Sequence, residues 1–160
     1  NLNLGSIYEK DNYLELALEH TLNAYRKNPK EKMVAYNLGV ISMKLQRFED
    51  AIKYYQEEIE KDGHPLSYLN LGLLYKDIYQ DLEKARYYYL AGISKYKDNP
   101  DLWFNLACVY ALKKDYENTY NCLLYAIIRD RKLLPYLMND EELNAFRETT
   151  YFKKLIDTLG

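Results

Sequence analysis

A six-residue stretch recurs four times along the chain, and its spacing constrains the fold more than any other feature. Asn3-Leu4-Gly5-Ser6-Ile7-Tyr8 is followed by Asn37-Leu38-Gly39-Val40-Ile41-Ser42, then Asn70-Leu71-Gly72-Leu73-Leu74-Tyr75, then Asn105-Leu106-Ala107-Cys108-Val109-Tyr110. The leucines stand at 4, 38, 71 and 106, in steps of 34, 33 and 35 residues. A period of this size is the signature of stacked supersecondary units. In each copy the leucine and the aromatic or aliphatic residues three or four places on share one helix face, which makes the stretch the middle of a helix, here called A. Glycine inside a helix costs about 1 kcal/mol relative to alanine. Small residues at one phase (Gly5, Gly39, Gly72 and Ala107) therefore predict close approach of a neighbouring helix.

Each A helix leads through a short polar turn into a second helix, B. The first turn is expected near Lys10-Asp11-Asn12, with Leu14, Ala17, Leu18 and Thr21 to Tyr25 on the B helix and Pro29 closing it. In the second repeat Gln46-Arg47 leads into Phe48, Ala51, Ile52, Tyr55 and Ile59, and Gly63 suits a left-handed C-terminal cap. The third turns at Gln80-Asp81, with Asp81 as N-cap, and carries Leu82, Ala85, Tyr89 and Ile93. The fourth turns at Lys113-Lys114-Asp115 and runs from Tyr116 to about Ile128. Pro65 and Pro100 fall where the first turn of an A helix begins, where proline forfeits no hydrogen bond.

Composition agrees with a folded helical protein. Of 160 residues, 48% are hydrophobic and 29% charged, and only 6 are glycine and 4 proline. A formal charge of −2 gives no electrostatic reason to bind nucleic acid or an anionic membrane. The sequence has no run of apolar residues long enough to insert into a bilayer. Two cysteines, Cys108 and Cys122, both fall in expected helices and read as free thiols. Free thiols favour a reducing compartment, and a cytoplasmic location is the expectation. The 19 tyrosines suit helix faces with an apolar body and a polar edge.

The pattern Leu-Gly-x-x-Tyr, then alanine, then an aromatic four residues on, then proline, resembles the tetratricopeptide repeat. Leu4, Gly5, Tyr8, Ala17, Ala24 and Pro29 carry it in the first copy. The second has Leu38, Gly39, Ala51 and Tyr55, with Ser42 in place of the tyrosine. The third has Leu71, Gly72 and Tyr75, while its Ala85 and Tyr89 come one residue late. That delay, with a B helix expected to be about a turn longer before Pro100, leans toward the Sel1-like variety. The fourth has Trp103, Leu106, Ala107, Tyr110 and Ala126, with Thr119 for the central alanine. The resemblance implies an all-α, right-handed superhelical solenoid. Repeats are expected at residues 1–31, 32–64, 65–99 and 100–131, with a helical cap at 132–160. The cap is expected to hold helical pieces over Lys132 to Met138 and Glu141 to Arg147. A final helix with Phe152, Leu155 and Ile156 on one face should follow, because a solenoid end must cover its stacking face. The run from Asn139 to Phe152 is similar to the closing segment of bacterial members and reads as a C-terminus. Asn1 falls inside a repeat, so more repeats are expected upstream.

The resemblance also implies that the A helices line a concave groove. Asn3, Asn37, Asn70 and Asn105 would then point into it. An amide donates and accepts at once, matching the N–H and C=O of an extended peptide. Helices pack about 8–10 Å apart, and three extended residues span about 10 Å, so one asparagine per repeat could hold a peptide backbone every third residue. The competing reading is that these amides bond across the stack and set its register. Leu2, Tyr36, Leu69 and Phe104 precede the asparagines, and Ser6, Val40, Leu73 and Cys108 follow three residues later. Lys44, Lys76 and Asp77 lie farther along, and Met33, Leu66 and Asp101 near the rim. This mostly apolar lining lacks the basic set with which some family members grip a C-terminal carboxylate.

No catalytic, metal or cofactor constellation is expected. His20 and His64 lie in different repeats without a second ligand at metal spacing and read as surface or capping residues. Glu57-Glu58 and Glu141-Glu142 read as solvated faces, because adjacent helical residues do not face each other. Arg129, Arg131 and Lys132 read as helix-end charges. The reading is a non-enzymatic module that binds a protein or peptide, without nucleic acid or membrane insertion. The alternatives are a structural element that self-associates through its N-terminal repeat face, and a substrate-recruiting domain of a larger protein.

Overall fold

The computed structural model describes the backbone at residues 2–61 and 63–160 and side chains from residue 12 onward, residue 62 excepted. The described residues form ten α-helices and no strand. They are α1 (Leu2–Lys27), α2 (Val34–Lys44), α3 (Phe48–Lys61), α4 (Pro65–Leu73), α5 (Leu82–Lys95), α6 (Pro100–Leu112), α7 (Tyr116–Arg129), α8 (Leu134–Asn139), α9 (Asn144–Arg147) and α10 (Thr150–Leu159). The chain divides into two compact units, Asn1–Leu71 and Gly72–Gly160.

In the first unit α2 and α3 form a hairpin joined by three residues, and the latter part of α1 lies against them. Tyr25 Oη donates to Glu57 Oε2 at 2.8 Å, and Arg47 pairs with Glu15. The core of the hairpin is Leu38, Ala51 and Tyr55, all fully buried. Gly39 explains its own smallness: a Cβ there would lie 2.6 Å from Tyr55 Cε1. The second unit repeats the device, with a Cβ on Gly72 lying 2.1 Å from Tyr89 Cε1. In the fourth repeat the equivalent positions hold Ala107 and Leu123, both fully buried. The larger A-side residue goes with the smaller B-side one, so each pair fills a similar volume.

The turns between A and B helices share one conformation. Gln46, Gln80 and Lys114, spaced by 34 residues, all have positive φ of 52° to 63°. Two of them close their helix in the same way. Arg47 N–H reaches Ser42 O at 2.8 Å and Gln46 N–H reaches Met43 O at 2.9 Å, while Asp115 and Lys114 repeat this on Tyr110 and Ala111. Asp81 and Asp115 then cap the B helices by accepting from Lys84 N–H and Asn118 N–H. Pro65 and Pro100 open α4 and α6, and Gly63, at φ 66°, ends α3 as expected.

Three expectations are corrected. First, the turn expected at Lys10-Asp11-Asn12 is absent, and α1 runs as one helix of 26 residues. Nothing in that tripeptide forbids a helix, and Thr21 stands where α3 and α5 present Tyr55 and Tyr89. A threonine offers far less surface than a tyrosine for an A helix to fold back onto. Second, the third repeat's B helix is not lengthened, because α3, α5 and α7 are each 14 residues. Its extra residue is taken up at Leu74–Ile78 as a π-helical turn, closed by Tyr79 N–H on Leu74 O at 3.3 Å. Third, Glu58 is not on a solvated face. It is 2% exposed, and its Oε1 accepts the N–H of Met33 at 2.8 Å, where the backbone enters α2 at φ 71°. A carboxylate at a helix N-terminus is favoured by the macrodipole.

The second unit ends in a compact cap. A 3₁₀ turn at Arg131–Leu133 leads into α8, and another at Glu141–Leu143 into α9. Leu137, Leu143, Phe146 and Leu155 are fully buried, and Phe146 packs against Tyr116 and Phe152. Arg147 Nη1 donates to Leu137 O at 2.8 Å and Asp140 O at 2.9 Å, tying the two turns together. Arg129 stacks on Tyr125, and Arg131 Nη2 donates to Leu159 O at 2.9 Å, so both arginines are engaged in packing.

Candidate functional site

The expected groove residues of the first unit remain accessible. Asn37 and Lys44 are exposed, and Tyr36, Val40, Leu69 and Asn70 are half-buried. The Tyr36 ring rests between Tyr55 at 5.9 Å and His64 at 5.6 Å. His64 also caps α4, its Nδ1 accepting Leu66 N–H at 3.1 Å, and His20 is exposed. Asn70 Nδ2 donates to Tyr55 Oη at 3.2 Å, and that hydroxyl donates to Met43 Sδ at 3.0 Å. Burial pushes the Tyr55 phenol well above its ordinary value, with the Asn70 bond acting the other way. Asn70 thus bonds across to the preceding B helix. The side chain of Asn3 lies outside the described residues.

In the second unit Leu73 and Asp77 keep exposed surface, but Lys76, Phe104 and Cys108 do not. They are 8%, 6% and 2% exposed. The chain's own C-terminal segment covers them. Tyr136 packs on Phe104 at a ring distance of 6.4 Å, Glu142 Oε1 accepts from Lys76 Nζ, and Asp140 Oδ2 lies 3.9 Å from Cys108 Sγ. Burial works against the Lys76 ammonium, but the bond and charge of Glu142 with that of Asp77 overcome it and raise its pKa. Cys108 is pushed well up by burial and then by Asp140 and Glu142, and Cys122 is pushed up to about 12, chiefly by burial. Both are free thiols. Asn105 turns back on its own helix, Nδ2 to Asp101 O at 2.8 Å. Tyr136 and Asp140 were not among the expected groove residues, and Glu142, expected on a solvated face, is half-buried and accepts from the buried Lys76. Their only signal as covering residues is a cap segment following the fourth repeat.

Two sequence profiles of the tetratricopeptide repeat match the chain, one over residues 34–65 and one over residues 88–119. These segments are similar to tetratricopeptide repeats. The first tetratricopeptide match is the α2–α3 hairpin in full. The second takes in the end of α5, all of α6 and the first turn of α7. Among curated proteins none matches the chain. Tetratricopeptide repeats generally mediate protein–protein interaction, and the fold of these segments is a scaffold of paired helices. Among the described residues no helix is long and apolar enough to cross a membrane.

Proposed function

We propose that the chain is a non-enzymatic interaction module that holds an extended peptide or partner segment along its A helices, in the concave groove of a right-handed superhelix. The observation that carries this reading is the first unit's surface. Tyr36, Val40 and Leu69 leave apolar area accessible beside Asn37, whose amide is exposed, and Lys44. Apolar area supplies affinity, and the amide supplies backbone hydrogen bonds that do not depend on peptide sequence. Because Lys76, Phe104 and Cys108 are covered, the binding surface is centred on Tyr36, Asn37, Val40, Leu69 and Asn70. Affinity is modest, since an extended ligand loses ordering entropy on binding. Two buried free thiols suit a reducing, cytoplasmic setting.

The test is a peptide-array screen followed by titration of the selected peptides against Asn37→Ala and Val40→Arg, both at accessible positions. A loss of tenfold or more in affinity in each variant is expected. Unchanged affinity overturns the reading. A second reading, self-association, draws on α1, where Tyr13 is 73% and Leu16 56% exposed. Sedimentation at increasing concentration distinguishes it, because a monomer throughout excludes it.

A further inference from the structure

The second unit holds a part-buried polar cluster that peptide binding does not use. Cys108 Sγ, a carboxylate oxygen of Asp140 and one of Glu142 lie within 4.8 Å of one another. Asp140 uses Oδ1 to accept Glu142 N–H at 2.9 Å, which leaves Oδ2 directed at Cys108 Sγ. Charge in the cluster is unbalanced. Lys76 is the cation that meets Glu142 and, at 3.3 Å, Asp77, so one ammonium faces three carboxylates when Asp140 is counted.

A separate observation points into the same place. Tyr89 is 0% exposed, and its hydroxyl has no hydrogen-bond partner among the described residues. The ionisable groups acting on that hydroxyl are Asp77, Cys108 and Glu142. One repeat earlier, the equivalent Tyr55 is satisfied by the next repeat's asparagine, Asn70. Here Asn105 has turned to Asp101 O instead, so Tyr89 lacks the partner that Tyr55 has. A buried hydroxyl without a partner calls for a water or an ion.

We propose that Cys108, Asp140 and Glu142 form a binding site for a divalent cation of the zinc class, with the Tyr89 hydroxyl donating to a cation-bound water or to a ligating carboxylate. One sulfur with two carboxylates is a donor set for a borderline-soft cation and a poor one for calcium or magnesium. Bonds of about 2.3 Å to sulfur and 2.1 Å to oxygen at a tetrahedral angle place the two donors about 3.6 Å apart. The 3.9 Å between Cys108 Sγ and Asp140 Oδ2 is within a few tenths of that. Binding replaces the S–H bond with a sulfur–metal bond and releases one proton to solvent. The cation also takes over the charge balance that Lys76 now supplies alone. The fourth position falls to water, beside Tyr89. The ligands lie 32 and 34 residues apart on α6 and the Glu141–Leu143 turn, outside any short spacing motif.

The test titrates the reduced protein with Co²⁺ as a spectroscopic probe and then with Zn²⁺ as competitor. A near-ultraviolet thiolate-to-cobalt charge-transfer band, bleached by equimolar Zn²⁺ with release of about one proton per Zn²⁺, is expected. Cys122→Ser keeps the band. Cys108→Ser loses it, and Asp140→Asn weakens binding tenfold or more. Lys76→Met removes the competing ammonium and tightens Zn²⁺ binding tenfold or more, which keeps the proposal testable should Cys108→Ser fail to fold. No band in the wild type, a band that survives Cys108→Ser, or Lys76→Met binding no tighter than wild type overturns the site.

Discussion

A methyl group at Gly72 would sit 2.1 Å from Tyr89 Cε1, and one at Gly39 would sit 2.6 Å from Tyr55 Cε1. Both rings are fully buried, so neither can swing away. Overpacking of this kind costs about 1–3 kcal/mol, and Gly72→Ala should fall at the upper end and Gly39→Ala lower. The Ala107 and Leu123 pair of the fourth repeat supplies the remedy. Tyr89→Leu should recover about 1 kcal/mol or more in the background of Gly72→Ala, a coupling typical of residues in contact. Urea denaturation of the four proteins measures the cycle, and strictly additive effects would refute the pairing. The same scale governs the turns. Lys114 holds a left-handed conformation that suits glycine, so Lys114→Gly should stabilise by about 0.5–1 kcal/mol, the relief of strain less the added chain entropy. The small-residue phase was visible in the sequence, because glycine in mid-helix demands a reason. The partner tyrosine was visible only as a recurring aromatic, since nothing in one dimension says which ring meets which glycine. Glu58 was misread for a related reason: its partner is a backbone N–H 25 residues away.

Repeat length is set by elements, and the third repeat shows how an element absorbs an error in register. Ala85 and Tyr89 come one residue late in the sequence, yet Tyr89 meets Gly72 as Tyr55 meets Gly39. The π-turn at Leu74–Ile78 takes up the surplus residue before α5 begins. The irregularity was legible in the spacing. Its place was not, because an inserted residue can lengthen a helix, a loop or a turn with the same effect on the count. Deleting Ile78, which is 46% exposed, should therefore return the turn to ordinary α geometry and change stability by no more than about 1 kcal/mol. Deleting Ile41 from α2 should be far worse, because it rotates one part of that helix by about 100° against the other. Comparable damage from both deletions, read by circular dichroism and urea midpoint, would show that the π-turn is not a removable insertion. The hairpin expected at residues 10–12 failed at this scale too. Asn12 is as suited to a left-handed turn as Gln46, but a turn is held shut by what its helices bury, and α1 offers Thr21 where tyrosine stands elsewhere.

At the scale of the molecule, the described chain is built from two compact units, and the cap belongs wholly to the second. Its need was legible from the end of the periodic pattern at Tyr110, since a terminal repeat without cover exposes apolar surface. What it does to the A-helix face was not legible. Asp140 and Glu142 reach Cys108 and Lys76 only once two 3₁₀ turns and Arg147 have bent the segment into place. The keystone of that arrangement is Phe146, fully buried between Tyr116 and Phe152. Phe146→Ala should cost about 3–5 kcal/mol, a large share of the stability of a domain this size. Repeat arrays lose stability locally before they lose it everywhere, because each element is held by its nearest neighbours. Amide hydrogen exchange of Phe146→Ala should therefore show the largest loss of protection in α6, α7 and α10, and the smallest in α2 and α3. An equal loss at every helix would mean that the two units unfold as one, and that the cap stabilises the whole chain rather than the unit it closes.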